Sequence, residues 1–209
     1  MVTGIRSYRG RSLTERRIER RARFIESALS LFGAKGYAGT SVPEVCKHAG
    51  LSSRQFYEEF SGREHLLREL YDEVQAGSMT AVSTAIDRVL NRPDITVEDL
   101  LDAGVGAFVD FYAASPERTR VSFVEVVGVS PEFEEHRHAR RGEWSAMLNT
   151  VTALGREHGL STSEASPLVW AGYIGAVNAL IVEHSVNRTI TTDEVMDAMR
   201  RLLRPGVIG

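Results

Sequence analysis

Apolar residues recur along this chain at every third or fourth position, and polar residues fill the positions between them. Near the N-terminus, Ile25, Ala28, Leu29 and Phe32 form a single apolar stripe. This period is typical of an α-helix that buries one face. The alternating β-branched runs that indicate strands do not occur in the sequence. The pattern therefore predicts an all-α protein without a sheet.

Polar residues at regular offsets mark where these helices begin. Ser or Thr followed three residues later by Glu or Gln caps a helix, because the two side chains bond otherwise unpaired backbone N–H groups. Such pairs are Ser12/Glu15, Ser41/Glu44, Ser52/Gln55, Ser61/Glu64 and Thr191/Glu194. Ser115-Pro116, Ser130-Pro131 and Thr96 mark further starts. About nine helices are predicted: 14–34, 42–49, 53–60, 62–90, 97–114, 117–128, 131–158, 163–187 and 192–203.

Residues 41–60 are predicted to form two short helices joined by a glycine turn. Ser41 caps the first helix, and Gly50 follows it where helices often end in a left-handed residue. Ser52 caps the second helix, in which Phe56 and Phe60 turn inward. A helix, a turn and a second helix within twenty residues is the helix-turn-helix layout, which places the second helix in the major groove of DNA. The segment therefore predicts binding to double-stranded DNA.

The first turn of the second helix carries side chains suited to base edges. Arg54 matches a guanine edge and Gln55 an adenine edge, each through paired hydrogen bonds. Thr40 and Ser41 offer hydroxyl and N–H groups at a helix N-terminus, a favourable place for phosphate, and Tyr57 is also placed for phosphate. The predicted DNA-binding residues are Thr40, Ser41, Ser52, Ser53, Arg54, Gln55, Tyr57 and Arg63.

Charge is divided unevenly along the chain. Residues 1–70 hold 13 basic and 8 acidic residues, a net +5, whereas the remainder is net −8. The asymmetry indicates a polyanion-binding end, with a solvated helix face as the alternative. Five arginines between 16 and 23 begin the first helix, and we hypothesise that the arm before residue 24 enters an adjacent minor groove.

The N-terminal spacing resembles the DNA-binding domain of the tetracycline-repressor (TetR) family. The residues that carry the resemblance are Ile25, Ala28, Leu29, Phe32, Gly36, Tyr37, Thr40, Ser41, Ala49, Gly50, Leu51, Ser52, Phe56, Tyr57, Phe60, Arg63, Leu66 and Leu67. It implies a homodimer that binds a palindromic operator, usually as a repressor released by a small ligand. By position, it implies base reading by residues 53–55 and phosphate contacts from Thr40, Tyr57 and Arg63.

Two positions depart from the family pattern. Cys46 stands where an alanine is usual, and only a small residue is required there. Glu58 and Glu59 stand where basic or aromatic residues are frequent. Two carboxylates near phosphate are expected to lower DNA affinity, and the arginines before residue 24 are expected to compensate.

The resemblance implies two domains, a homeodomain-like three-helix unit with its arm in residues 1–70 and a helical bundle in residues 71–209. A continuous fourth helix is predicted to join them, because no flexible linker occurs near residue 70. The bundle is expected to enclose an apolar cavity for an unknown small effector, although aromatic residues at helical spacing also form plain core. The candidate ligand-binding residues are Phe108, Phe111, Tyr112, Phe123, Trp144, Met147 and Val151.

The eighth helix is apolar nearly all round, so one chain is not expected to cover it fully. With the last helix it is predicted to form a two-fold dimer interface, and a buried helix in a monomer is the alternative. The candidate interface residues are Trp170, Ile174, Val177, Ile181, Met196, Met199 and Leu203.

Enzymatic chemistry finds little support in the sequence. Glu135/His138 and Glu132/His136 have the spacing of a di-iron ligand pair, but no second Glu-x-x-His occurs. The arginines beside them, at positions 137, 140 and 141, favour a solvated face. The sequence has no Gly-x-Ser-x-Gly motif, and Gly104-x-Gly106 does not follow a predicted strand. No catalytic residue, metal or cofactor is therefore predicted.

The composition indicates a cytoplasmic protein. The chain has one cysteine, its basic N-terminus is not followed by an apolar stretch, and its longest uncharged stretch, 165–182, contains serine, proline and glycines. Three functions remain open: a ligand-gated transcriptional regulator, an architectural DNA-binding protein without an effector, and a helical-bundle enzyme. Binding to a defined palindrome would discriminate the first from the others.

Overall fold

The computed structural model describes residues 13–187 and 189–208. The helices in these ranges are α1 (Leu13–Lys35), α2 (Val42–Ala49), α3 (Ser53–Glu59), α4 (Arg63–Leu90), α5 (Val97–Ala113), α6 (Pro116–Arg120), α7 (Pro131–Glu157), α8 (Pro167–Val186) and α9 (Thr192–Val207). A single turn of π-helix, Val121–Glu125, continues α6. The described ranges contain no strand, only an isolated bridge between Thr162 and Ile208. The predicted all-α fold is confirmed.

Local capping explains most of the helix starts. Reciprocal capping boxes begin α2 at Ser41, α3 at Ser52, α5 at Thr96 and α9 at Thr191. The box predicted at Ser61 is wrong, since α4 begins after Gly62 without a side-chain cap. Glu64 instead accepts a hydrogen bond from Ser130 Oγ at 2.7 Å, which is a tertiary contact. The box predicted at Ser12 lies outside the described residues.

Three predicted helices have different bounds in the structure. The segment 117–128 is a short α-helix and a π-turn, and α8 begins at Pro167 rather than at 163, with Ser166 as its cap. The last helix continues through Pro205 to Val207. A Cβ at Gly206 would clash with the ring of Tyr173, so a glycine there allows α9 to pack closely on α8.

The first three helices pack around a group of buried phenylalanines. Phe24 lies edge-to-face against Phe56 and Phe60, with ring centroids 5.4 and 5.9 Å apart. Such pairs add to the free energy gained from burial alone. Cys46, from α2, is buried in the same core. Phe56 and Phe60 thereby fix which face of α3 turns inward.

The fourth helix joins this unit to the rest of the molecule. It runs without interruption for 28 residues, and one buried cluster extends from Phe24 through Leu70 and Tyr112 to Met199. The predicted continuous connection is therefore present, and no break in the core marks residue 70. Within the described ranges, no helix combines the length and apolar character that crossing a membrane requires.

Candidate functional site

Helices α2 and α3 meet at a tight turn, and a side chain of α1 donates a hydrogen bond next to it. Gly50 adopts φ 64°, and the Leu51 N–H donates to Cys46 O at 3.0 Å. The Arg23 guanidinium donates to the Ala49 carbonyl next to this turn. An arginine of α1 therefore anchors the C-terminal end of α2 at this turn.

The outward face of α3 presents two large side chains to solvent. The Arg54 side chain is 90% exposed, and its Nε lies 3.2 Å from Glu58 Oε1. Tyr57 is 61% exposed. Ser53 is exposed beside them. An exposed pair one turn apart on a helix contributes little to stability, so Arg54 is free to exchange this partner for a base.

Gln55, which was predicted to read a base, also caps the start of α3. Its Oε1 accepts hydrogen bonds from the Ser52 N–H at 2.9 Å and from Ser52 Oγ at 3.1 Å. Paired hydrogen bonds to adenine require both the oxygen and the nitrogen of the amide. In this structure the Gln55 amide oxygen and the Ser52 hydroxyl are both engaged in capping α3.

The groups predicted to bind phosphate at the start of α2 have partners within the chain in this structure. Thr40 is 1% exposed, and its hydroxyl donates to Gly36 O at 2.9 Å. The Glu44 carboxylate accepts from the Ser41 N–H at 2.9 Å and from Ser41 Oγ at 2.8 Å. The hydrogen bond from Lys35, followed by those from Ser41, lowers the pKa of Glu44 to about 2. A carboxylate thus already occupies the helix N-terminus where phosphate was expected.

Arg63, also predicted to contact phosphate, likewise has partners within the chain in this structure. Its guanidinium lies over the Tyr37 ring, 4.3 Å from the centroid, and donates to the Thr40 carbonyl. It therefore fastens the start of α4 to the segment that precedes α2. Among the predicted DNA-binding residues, Ser53, Arg54 and Tyr57 remain exposed on α3 without a capping role.

Glu59 does not face DNA, contrary to the expectation for the two glutamates. Its side chain is 1% exposed and pairs with Arg17 Nε at 3.0 Å and Arg20 Nη2 at 2.8 Å. Burial acts to raise its pKa, but the hydrogen bonds from Arg20 and Arg17 outweigh it, so the pKa of Glu59 is lowered. Arg21 donates to the Glu59 carbonyl and lies over the Phe60 ring. These arginines hold the end of α3. Of the arm predicted before residue 24, residues 13–23 form the start of α1, and residues 1–12 lie outside the described residues.

A half-open apolar cavity of about 130 Å³ lies between α4, α5, the π-turn, α7, α8 and α9. Four of the predicted ligand-binding residues line it: Phe108, Phe123, Trp144 and Val151. The other three do not. Tyr112 is buried between the rings of Phe108 and Phe123, with centroids 4.9 Å from each.

The other two predicted residues that do not line the cavity, Phe111 and Met147, pack against other parts of the chain. The ring of Phe111 packs at Gly77 and under the Arg118 guanidinium, 4.6 Å from the ring centroid. Met147 packs against the small core formed around Val82 and Ile86, beside the cavity wall. The sequence period identified the helix but could not assign these side chains to one side of it.

Most residues predicted for the dimer interface point into the chain instead. Trp170, Ile174, Val177, Met199 and Leu203 line the cavity. Ile181 is 1% exposed in the main core, and Met196 packs against that core. Trp170 donates from Nε1 to Asn149 Oδ1 at 2.6 Å. Trp170, Ile181 and Met199 are buried and are corrected to interior positions. Ile174, Val177, Met196 and Leu203 are only partly buried, and their place in an interface stays a prediction. A helix that is apolar all round gives no signal for which face turns outward.

A hydrogen-bonded chain of buried polar groups lies beside the aromatic wall of the cavity. Trp144 Nε1 donates to Gln75 Oε1 at 2.9 Å, and Gln75 Nε2 donates to the Tyr112 hydroxyl at 3.3 Å. Burial raises the pKa of Tyr112 to about 12. The hydroxyl therefore stays protonated at neutral pH.

The suspected metal-ligand pairs of α7 do not assemble. Glu132, Glu135 and His138 are exposed, and His136 Nε2 lies 2.7 Å from Asp72 Oδ1. The described residues contain no group of three or more side chains that could hold a metal ion. Arg137 and Arg141, expected on a solvated face, line the cavity instead.

Comparisons with known proteins agree with this geometry. Residues 24–70 match the family model described as bacterial regulatory proteins, tetR family. These residues therefore form a DNA-binding domain of the tetR type. A relative with the same kind of helix-turn-helix, the HTH-type transcriptional regulator EthR of Mycolicibacterium smegmatis, is 25% identical over 77% of this chain and 71% of EthR. The chain is accordingly a DNA-binding transcriptional regulator.

Solved structures share the whole fold with this chain. FadR from Bacillus subtilis, in complex with stearoyl-CoA, has a TM-score of 0.74 at 16% identity, covering 88% of this chain and 98% of FadR. The fatty acid degradation regulator FadR from Bacillus halodurans has a TM-score of 0.75 at 17% identity, covering 90% and 95%. At these identities the likeness establishes the fold alone.

The π-turn connects the cavity to the DNA-binding helices. Glu125 Oε2 accepts from the Tyr37 N–H at 2.6 Å, and its Oε1 pairs with Arg120 Nε at 2.8 Å. Arg120 Nη1 donates to the carbonyls of Gly33 and Ala34, each at 3.1 Å. We call Arg120 and Glu125 the latch. The sequence did not predict the latch, because nothing in the local sequence around Arg120 indicates a contact with a residue some 87 positions away.

Proposed function

We propose that this protein is a repressor that binds a palindromic operator as a homodimer and releases it when a small apolar effector fills the cavity. The observation that carries the proposal is the π-turn. Ser122 and Phe123 belong to the cavity wall, while Glu125, two residues on, holds the loop before α2. Single π-turns within helices are frequent at functional sites.

The proposed mechanism is a shift between two populations of the dimer. An effector that binds one arrangement of the π-turn and α4 more tightly favours that arrangement. Because α4 is a continuous helix, a change at its cavity end alters the position of α3. Two recognition helices that no longer match successive major grooves lose the operator, and binding of the operator and of the effector oppose each other by the same factor.

Relatives support a ligand-responsive role. The Bacillus subtilis FadR structure, which shares this fold, holds stearoyl-CoA, a molecule with a long apolar chain. The cavity here is lined largely by apolar and aromatic side chains from α4, α5, α7, α8 and α9. Such linings are typical of small-molecule sites. The chemistry of the wall thus supports an apolar effector body.

Selection of DNA from a random pool tests the proposed function. The protein should enrich a palindrome with two half-sites about one or two helical turns apart. Ligands that occupy the cavity should then weaken binding to that operator. Retention of DNA without any sequence preference would instead identify an architectural protein, and operator binding that no cavity ligand alters would contradict effector release.

Arg54 provides a sharp test of base reading. Arg54→Ala should weaken binding to the selected operator by roughly 5- to 150-fold, the range for losing one well-placed pair of hydrogen bonds to a base. Binding to unrelated DNA should change much less. The matched control is Arg88→Ala, because Arg88 is exposed in the last turn of α4. Fluorescence anisotropy with both DNAs gives the ratio, and equal weakening on both would assign Arg54 to phosphate.

We propose that the dimer forms through the outward face of α8. Leu168 and Val186 are 83% and 69% exposed there, and the exposed positions between them are mostly small: Ala171, Gly172, Gly175 and Ala179. Small side chains let two helix backbones approach closely. The apolar residues first predicted for this interface lie behind that face.

Gly175→Arg should convert the dimer to a monomer and lower operator affinity by at least tenfold. A Cβ at Gly175 meets nothing within 4 Å, so the arginine should not disturb the single chain. Gly142→Arg is the control, because Gly142 is also helical, exposed and free of neighbours within 4 Å. Sedimentation velocity measures the state. A Gly175→Arg protein that stays dimeric would rule out this face.

A further inference from the structure

Two arginines of α7 line a cavity whose wall is otherwise mostly apolar. Arg137 and Arg141 are one helical turn apart, on the same face as Trp144, Leu148 and Val151, which also line the cavity. A charged group held away from water is costly unless it has a partner. The hydrogen-bond partners of these two guanidinium groups therefore matter for what the cavity can hold.

The described residues leave Arg137 incompletely satisfied and give Arg141 no carboxylate partner. Arg137 Nη1 donates to both Glu134 oxygens, at 2.8 and 2.7 Å, but its Nε is buried without a hydrogen-bond partner there. Around Arg141, the described part of the chain provides no carboxylate within 4.0 Å. Their neighbour Arg140 differs, since it pairs with Asp72 at 2.7 Å and with Glu143 at 2.6 Å.

Other polar groups of the wall do not compensate for this. Gln75 and Trp144 are hydrogen-bonded to each other, so their polar atoms are occupied. Asp72, the acidic residue on the facing helix α4, is shared by Arg140 and His136. Burial raises the pKa of Tyr71, another wall residue; the charges of Arg137, Arg141 and Arg140 act to lower it, and the charge of Asp72 acts to raise it. No carboxylate of the described residues lines the cavity beside Arg137 and Arg141.

We infer that the effector is an amphipathic organic anion, with an acidic head group bound by Arg141 and by Arg137 Nε. The inference rests on the proposed function, because it assumes that this cavity holds the effector. Charge-assisted hydrogen bonds from arginine to a carboxylate are among the stronger polar contacts in proteins. The apolar body then lies along Ile86, Leu148 and Trp170, which line the same cavity.

Intrinsic fluorescence can report occupancy without a label. The chain has two tryptophans, and both Trp144 and Trp170 line the cavity. We would titrate the full-length protein at pH 8 with decanoate, 1-decanol and decylammonium, which share one chain length. Decanoate should bind at least tenfold more tightly than 1-decanol, a ratio expected for one charge-assisted contact, and decylammonium should bind most weakly.

Variants of Arg141 separate the head-group contact from occupancy of the cavity. Arg141→Gln should reduce the preference for decanoate over 1-decanol to less than threefold while 1-decanol still binds, and Arg141→Lys should keep part of it. Arg88→Gln, at an exposed arginine of α4, should keep the preference in full.

The outcomes that would overturn the inference are distinct from those that would overturn the proposed function. Equal binding of decanoate and 1-decanol, or a preference that survives Arg141→Gln, would refute the anionic head group and leave the apolar effector intact. Failure of all three probes to bind, in fluorescence and in calorimetry, would refute both.

Discussion

Replacing Arg17 and Arg20 together by methionine is expected to lower the free energy of unfolding by about 3 kcal/mol. The double variant leaves the Glu59 carboxylate, whose side chain is 1% exposed, without either ion-pair partner. Breaking a buried pair from one side costs about 3–5 kcal/mol. We expect the lower end, because solvent reaches the Arg17 side chain, which is 65% exposed. Urea denaturation followed by circular dichroism measures the loss.

A third substitution provides the control for this prediction. Adding Glu59→Leu to the double variant should recover most of the lost stability, because an apolar group of similar size removes the unpaired charge. A triple variant no more stable than the double one would show that the arginines act through packing, not charge.

The contribution of Glu59 to the pH dependence of stability should change sign between the two proteins. In the native protein the pKa of Glu59 is lowered below 4.5. Its stabilisation is therefore complete above the unfolded pKa and is lost as the pH falls through the folded one. In the double variant, burial without partners raises that pKa, so acidification should relieve the destabilisation. The difference between the urea midpoints of the two proteins should therefore be smaller at pH 4 than at pH 7, and a difference that grows at pH 4 would contradict this sign.

Breaking the latch is expected to uncouple the effector from DNA. Glu125→Ala removes the acceptor of the Tyr37 N–H and the partner of Arg120. A cavity ligand that lowers operator affinity in the native protein should lose at least tenfold of that effect, a coupling free energy of about 1.4 kcal/mol. Operator affinity without ligand should change by less than threefold. Anisotropy titrations with and without ligand measure both quantities.

Two further variants make the latch prediction specific. Arg120→Ala should uncouple in the same way, because it frees the carbonyls of Gly33 and Ala34. Glu132→Gln, at an exposed glutamate in the first turn of α7, should leave the ligand response unchanged. Full ligand response in both latch variants would place the coupling elsewhere, with α4 as the remaining connection.

Local signals were sufficient to predict most of the fold. Ser41, Ser52 and Thr96 cap their helices together with residues three positions away, so both partners of each interaction are close in the sequence. The inward turn of Phe56 and Phe60 also follows from their spacing. The helix-turn-helix could therefore be located within one residue at each end.

Site residues were predicted less well, because their roles depend on distant contacts. Thr40 and Arg63 have the chemistry of phosphate ligands, yet both are held by the chain itself. Trp170 lies on a helix without a polar face, so its period could not show that it points inward. The sequence of α7 did contain a signal for the two cavity arginines. Arg137 and Arg141 continue, at helical spacing, the stripe formed by Trp144, Leu148 and Val151, and all five residues line the cavity.

The burial of Cys46 has a practical consequence for following the proposed switch. It is the chain's single cysteine, and it lies inside the core of the helix-turn-helix. A thiol reagent should therefore react very slowly with the native protein, and a cysteine introduced at exposed Ser53 would be the main site of attachment. Nitroxide labels placed there would report the separation of two recognition helices by pulsed electron paramagnetic resonance. The distance distribution, recorded with and without a cavity ligand, would directly measure the spacing of the recognition helices on which operator binding depends.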